Sequence, residues 1–178
     1  MRRAAIAALV VVALVAGLWT LGIVAPPAPT YQGDQLGMEQ GETPEEYAAR
    51  ARASISDGGD AAWALVTFTG ELSPAEAADA VKPARRVSAV VFQGAPPRAI
   101  PEPVAGQSRA DVFVAEADRA RAGGVAAGSA PQSVLVKDEP AVLRGIAADR
   151  RVFAVEALAP DARVGTFGIS PVSPPSFD

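Results

Sequence analysis

Arg85-Arg86-Val87-Ser88-Ala89-Val90 recurs as Arg150-Arg151-Val152-Phe153-Ala154-Val155, and this repeat decides the fold. Each hexamer passes from two basic residues into a run that suits the start of a strand. Upstream of each lies a helical stretch opened by proline, and upstream of that an apolar run. The pattern reads as two copies of one strand–helix–strand unit, with the hexamer opening the second strand of each.

In the first unit, Trp63 to Thr69 (WALVTFT) is expected as a strand with Ala64, Val66 and Phe68 on one face. Ser73-Pro74-Ala75-Glu76 is a capping box with Pro at the first helical position. Leu72 is placed to staple against Ala77. Pro83 bars continuation of the helix, and Val87 to Gln93 returns as the second strand. In the second unit, Val134-Leu135-Val136 is the first strand. Asp138 or Glu139 caps a helix begun by Pro140, whose expected buried face is Val142, Leu143, Ile146 and Ala147. Val152 to Leu158 closes the unit.

One such unit cannot bury both its sheet face and its helix stripe. Two can, by setting four strands side by side with both helices on one face. The expected class is therefore α+β: a ferredoxin-like domain with a four-stranded antiparallel sheet. Around it, Thr43-Pro44-Glu45-Glu46 opens an extra helix that runs to about Ser56, with Tyr47, Ala51 and Ile55 as its stripe. Residues 94–130 form an insert between the units. Its prolines from Gly94 to Pro103 demand extended backbone. Beyond them, Ser108 to Gly123 reads as a helix, although Ala110 to Val114 also fits a strand. The Pro-rich tail, 161–178, holds a candidate edge strand from Val164 to Ile169.

Ahead of the domain, residues 4–25 (AAIAALVVVALVAGLWTLGIVA) carry no charge and match the length of a bilayer span. Arg2 and Arg3 precede them, so the positive-inside rule sets the N-terminus in the cytoplasm and the domain outside. A cleaved signal peptide is the rival reading, but the apolar run exceeds the usual length and Pro26 is a poor neighbour for a cut. Residues 26–42, starting Pro26-Pro27-Ala28-Pro29, read as an extended linker, and 43–160 as the exported domain.

Composition removes most chemistries. The chain has 178 residues with no Cys and no His, so disulfides, thiolate sites and the usual neutral-pH base are absent. A formal charge of −4, more acidic still without Arg2 and Arg3, argues against nucleic acid. No catalytic, metal or cofactor residues are assigned. Ser73, Ser88, Ser108, Ser129 and Ser133 have only Lys82 and Lys137 as conceivable activating partners, and no G-x-S-x-G or phosphate loop is present. Asp57-Gly58-Gly59-Asp60 lacks the oxygen spacing of a calcium loop and reads as a turn. Arg85, Arg86, Arg150 and Arg151 remain as contacts for an anion or an acidic partner, set against plain complementation of the preceding helix ends. Ala95 to Pro103 reads either as a partner-docking segment or as a connector.

The stretches Leu65-Val66-Thr67-Phe68, Leu72-Ser73-Pro74-Ala75-Glu76-Ala77, Val87-Ser88-Ala89-Val90, Ala141-Val142-Leu143-Arg144 and Val152-Phe153-Ala154-Val155, together with the apolar N-terminus, resemble uncharacterised actinobacterial single-pass proteins with an exported ferredoxin-like domain. The resemblance covers about half the chain and implies location and architecture, not an activity. The expected function is a non-catalytic interaction or accessory module of a cell-envelope complex. It would touch lipid through its N-terminal helix and a protein partner through its domain. A small-ligand or sensory domain is the alternative.

Overall fold

The computed structural model describes residues 34–123, 130–170 and 172; the expected membrane span, 4–25, lies outside them. Among the described residues, no helix is long and apolar enough to cross a membrane. In chain order the elements are β1 (Gln35–Leu36), α1 (Pro44–Ser54), β2 (Ala62–Phe68), α2 (Pro74–Ala80), β3 (Arg86–Phe92), β4 (Arg98–Ala99), α3 (Arg109–Ala122), β5 (Pro131–Asp138), α4 (Pro140–Ala147), β6 (Val152–Ala157) and β7 (Gly168–Ile169).

The sheet is antiparallel and has five strands in the order β4-β3-β5-β2-β6. That is one more than the four expected. The insert supplies the fifth: Arg98–Ala99 pairs with Val90 and Ala89 at the edge. Strands β2 and β3, joined through α2, both run antiparallel to β5 and so parallel to one another, with β5 between them. Phe68 and Phe92 thus end strands on either side of β5.

Local chemistry fixes the helices. Thr43, Ser73 and Ser108 each accept a hydrogen bond from the N–H three residues on, and Glu46, Glu76 and Asp111 accept in return from the cap N–H. The insert is therefore helical over 109–122, not a strand: a capped start and Arg119 and Arg121 in the last turn outweigh the β-branched residues beside Phe113. Helix α4 has Glu139 as N-cap with no side-chain cap bond; Asp138 instead accepts from the Glu139 N–H.

Two cores sandwich the sheet. On one face Ala64, Val66, Phe68, Val90 and Val134 pack with Ala77 and Ala80 of α2, Phe113 and Ala117 of α3, and Leu143 and Ile146 of α4. Val142 is only half-buried and Ala147 is exposed, so the stripe of α4 is narrower than expected. The other face is also closed. Trp63, Leu65, Leu135 and Ala154 pack with Tyr47 and Ala51 of α1, with Leu36, and with Phe167 and Val172. Strand β2 is consequently buried at every residue.

This second layer corrects two expectations. Residues 34–42 do not run free as linker: Gln35–Leu36 forms β1, and Leu36 is fully buried. The tail strand is only Gly168–Ile169, and it pairs in parallel with β1, not with the edge of the main sheet. Leu36 and Phe167 share one apolar cluster, which draws the two ends of the domain together.

Candidate functional site

A dense group of charges lies where the strap Asp34–Glu42 meets α1 and β6. The capping box starts α1 so that Tyr47 and Ala51 face the sheet, and Arg50 flanks them within the same turn. The Arg50 guanidinium donates to Glu42 from Nε and Nη2 (2.8 and 2.9 Å), to the Gly37 carbonyl from Nη2 (2.9 Å), and to Glu156 from Nη1. It also lies 5.4 Å from the centre of the Tyr47 ring, a cation–π distance. Glu156 accepts in addition from the Gly37 N–H at 2.6 Å. Next to it, the Ser54 hydroxyl accepts from the Ala157 N–H at 2.7 Å and covers part of the β6 edge.

Electrostatics follow from burial. Desolvation pushes the Glu156 carboxyl above its usual range, and the Gly37 N–H and Arg50 offset this only in part. The Arg50 hydrogen bonds hold Glu42, in the same group, down at about 2. Burial, then the Glu156 charge, raises the Tyr47 phenol. The Tyr47 and Thr67 side chains are both fully buried beside this group.

A hollow of about 1030 Å³ opens beside this group, lined by Asp34, Glu39, Glu42, Arg50, Ser54 and Glu156 among others. Its one arginine has its donors engaged by the protein itself. The group therefore acts first as a clamp, tying strap, α1 and β6 together. It holds no nucleophile paired with a base. Sequence reasoning missed Arg50, Glu42 and Glu156. A signal was present: Glu156 alternates with Ala154 on an inward face, where an acid is out of place.

The four predicted arginines do not form one site. Arg86 lies opposite Lys137 at the end of the sheet where β2 begins. The carbonyl of Arg151 accepts from the Thr69 N–H at 2.9 Å, at the end where β2 finishes. Two of the four are engaged internally. Arg85 bonds the buried carboxylate of Asp138 (3.2 Å) and Glu139 (3.1 Å). Arg151 bonds Asp149 (2.6 Å) and Asp79 (3.0 Å), and its hydrogen bonds hold Asp149 at about 2. Arg150 lines a second hollow of about 650 Å³ with Leu72, Glu76, Asp149 and Arg151. Among the described residues Arg86 bonds only the Ser88 hydroxyl, at 2.9 Å, and has no carboxylate partner.

The serines are also accounted for. Ser73 and Ser108 are caps, Ser133 is buried in β5, and Ser129 lies outside the described residues. Lys137 stacks 5.3 Å from the centre of the Trp63 ring. Asp57 to Asp60 turns the chain with Gly59 at φ +117°, and Arg144 donates to the Asp57 carbonyl at 3.0 Å. The proline segment folds back along β3: the Ile100 N–H donates to the Ser88 carbonyl at 3.0 Å, and Glu102 accepts from the Val87 N–H. Proline there blunts a sheet edge. No protein family, no curated protein and no solved structure matches this chain.

Proposed function

We propose that the protein is a non-catalytic interaction module of a cell-envelope assembly, held at the membrane by residues 4–25 with its N-terminus inside and its domain outside. The likeness to actinobacterial anchored proteins belongs to this proposal. The order of the core strands, two parallel strands parted by an antiparallel one, supports assigning the core to the ferredoxin-like type.

The observation that carries the reading is the basic pair at one end of the sheet. Arg86 and Lys137 are direct cross-strand neighbours, an arrangement that costs stability unless something anionic offsets it. Neither has a carboxylate partner among the described residues. An acidic surface on a partner protein would supply one. Crosslinking in intact membranes, followed by purification in mild detergent, tests this. Arg86→Gln combined with Lys137→Gln removes the cross-strand repulsion and should abolish the crosslink while leaving thermal stability unchanged or higher. An undiminished crosslink would exclude this surface. A topology reporter fused after Asp178 should report an extracytoplasmic location.

The open hollow beside Arg50 and Glu156 supports a second reading, a small-ligand or sensory domain. Ligand held only by the folded state raises stability, so reproducible thermal stabilisation by one member of a metabolite panel would favour it over the first.

A further inference from the structure

We propose that the strap Asp34–Glu42 is a releasable latch, closed by Gly37 between Arg50 and Glu156, whose opening uncovers the part of the second face that Leu36 covers, without unfolding the domain. The geometry of Gly37 carries the inference. Its N–H donates to Glu156 and its carbonyl accepts from Arg50, so one residue joins the strap to both α1 and β6. It has φ +105°, a left-handed conformation, and an added Cβ would lie 2.3 Å from the Ser170 carbonyl oxygen. Only glycine closes this contact.

The rest of the strap is lightly held. Its strand has two residues, paired with two of β7, whereas the neighbouring β2 and β5 have seven and eight. One large side chain, Leu36, is buried with it, and Met38 only partly. Beyond the clamp and its two-residue ladder, its ties to the tail include the Gly168 N–H to Asp34 (3.1 Å), the Ser170 N–H to Leu36 (2.7 Å) and the Gln35 side chain to Ser170. Segments with few buried contacts and few ladder bonds open locally, below the cost of global unfolding. Opening would leave a cleft where Leu36 sat beside Phe167 and would free nine residues ahead of Thr43, about 30 Å of additional reach. The inference does not depend on how the chain is anchored or on its partner.

Hydrogen exchange of the full chain in detergent micelles tests it. The reporters are the Gly37, Gly168 and Ser170 amides, with Leu65, Val66 and Leu135 amides as the sheet reference. In the native protein the strap reporters should exchange at least about 100-fold faster than the sheet. Gly37→Ala should speed them by a further ~10-fold or more and leave the sheet amides unchanged. A disulfide between Gln35→Cys and Gly168→Cys, which are register partners in a chain with no native Cys, should slow them towards the sheet rate. The latch is overturned if strap and sheet exchange at one rate in the native protein. It is equally overturned if Gly37→Ala accelerates both alike.

Discussion

Arg50 and Glu156, 106 residues apart in sequence, form an ion pair in which the Glu156 side chain is only 5 % exposed. The pair ties α1 to β6, and Gly37 bridges both partners. Such a pair adds little net stability against an apolar replacement, yet removing one member strands the other charge in a poor solvent.

Arg50→Met should therefore destabilise the domain by about 2–3 kcal/mol, below the penalty for a fully buried pair because Arg50 is partly exposed. Arg50→Met with Glu156→Met should recover most of that loss. Urea midpoints of the two single variants and the double variant measure the coupling. Additive losses would show that the two side chains do not act as a unit.

The pH dependence has two limbs of opposite sign. Folding raises the Glu156 pKa, so its contribution is complete below the ordinary value of 4.5 and fades as pH rises through the folded value. Glu42 and Asp149, held at about 2, contribute fully above 4.5 and 3.8 and lose that contribution as pH falls towards 2. Stability should peak in mild acid. Glu156→Gln should flatten the upper limb and leave the acid limb in place, as read from chemical denaturation between pH 3 and pH 8.

Phe113 comes from the insert yet is fully buried in the main core. Phe113→Ala should cost about 3–5 kcal/mol. Loss of far-UV signal at a lower temperature, in one cooperative transition, would be the expected record. A change confined to the insert would mean that α3 is an appendage.

Ser73→Ala removes one half of the cap of α2, a helix of seven residues. About 1 kcal/mol should be lost, visible as a lower urea midpoint. Ser73→Asp should restore most of it, because a carboxylate can also accept from the Glu76 N–H.

Much of the main sheet was legible because its signals are local. Capping boxes at Thr43, Ser73 and Ser108, prolines at 44, 74 and 140, and the alternation of Ala64, Val66 and Phe68 each act within a few residues. What escaped was long-range. Nothing near Leu36 shows that Phe167 and Trp63 will cover it, so the strap reads as linker by its glycines. Val142 and Ala147 look buried by helical spacing, but a helix of eight residues packed through Leu143 and Ile146 has no room for a wider stripe. The arginine repeat located the strand starts correctly and misled about chemistry, since Asp138 and Asp149, which engage Arg85 and Arg151, lie on other segments or across a turn. The Arg50 group could not be assembled from sequence because its members come from three separated stretches.

The twin arginine turns stand at opposite rims of β2, whose seven residues span about 20 Å at the usual rise. A metabolite is too short to touch both. Whatever reads Arg86 and Arg150 together must be a macromolecule long enough to straddle the sheet, or else two separate visitors, and titration with short acidic peptides would then saturate in two independent steps.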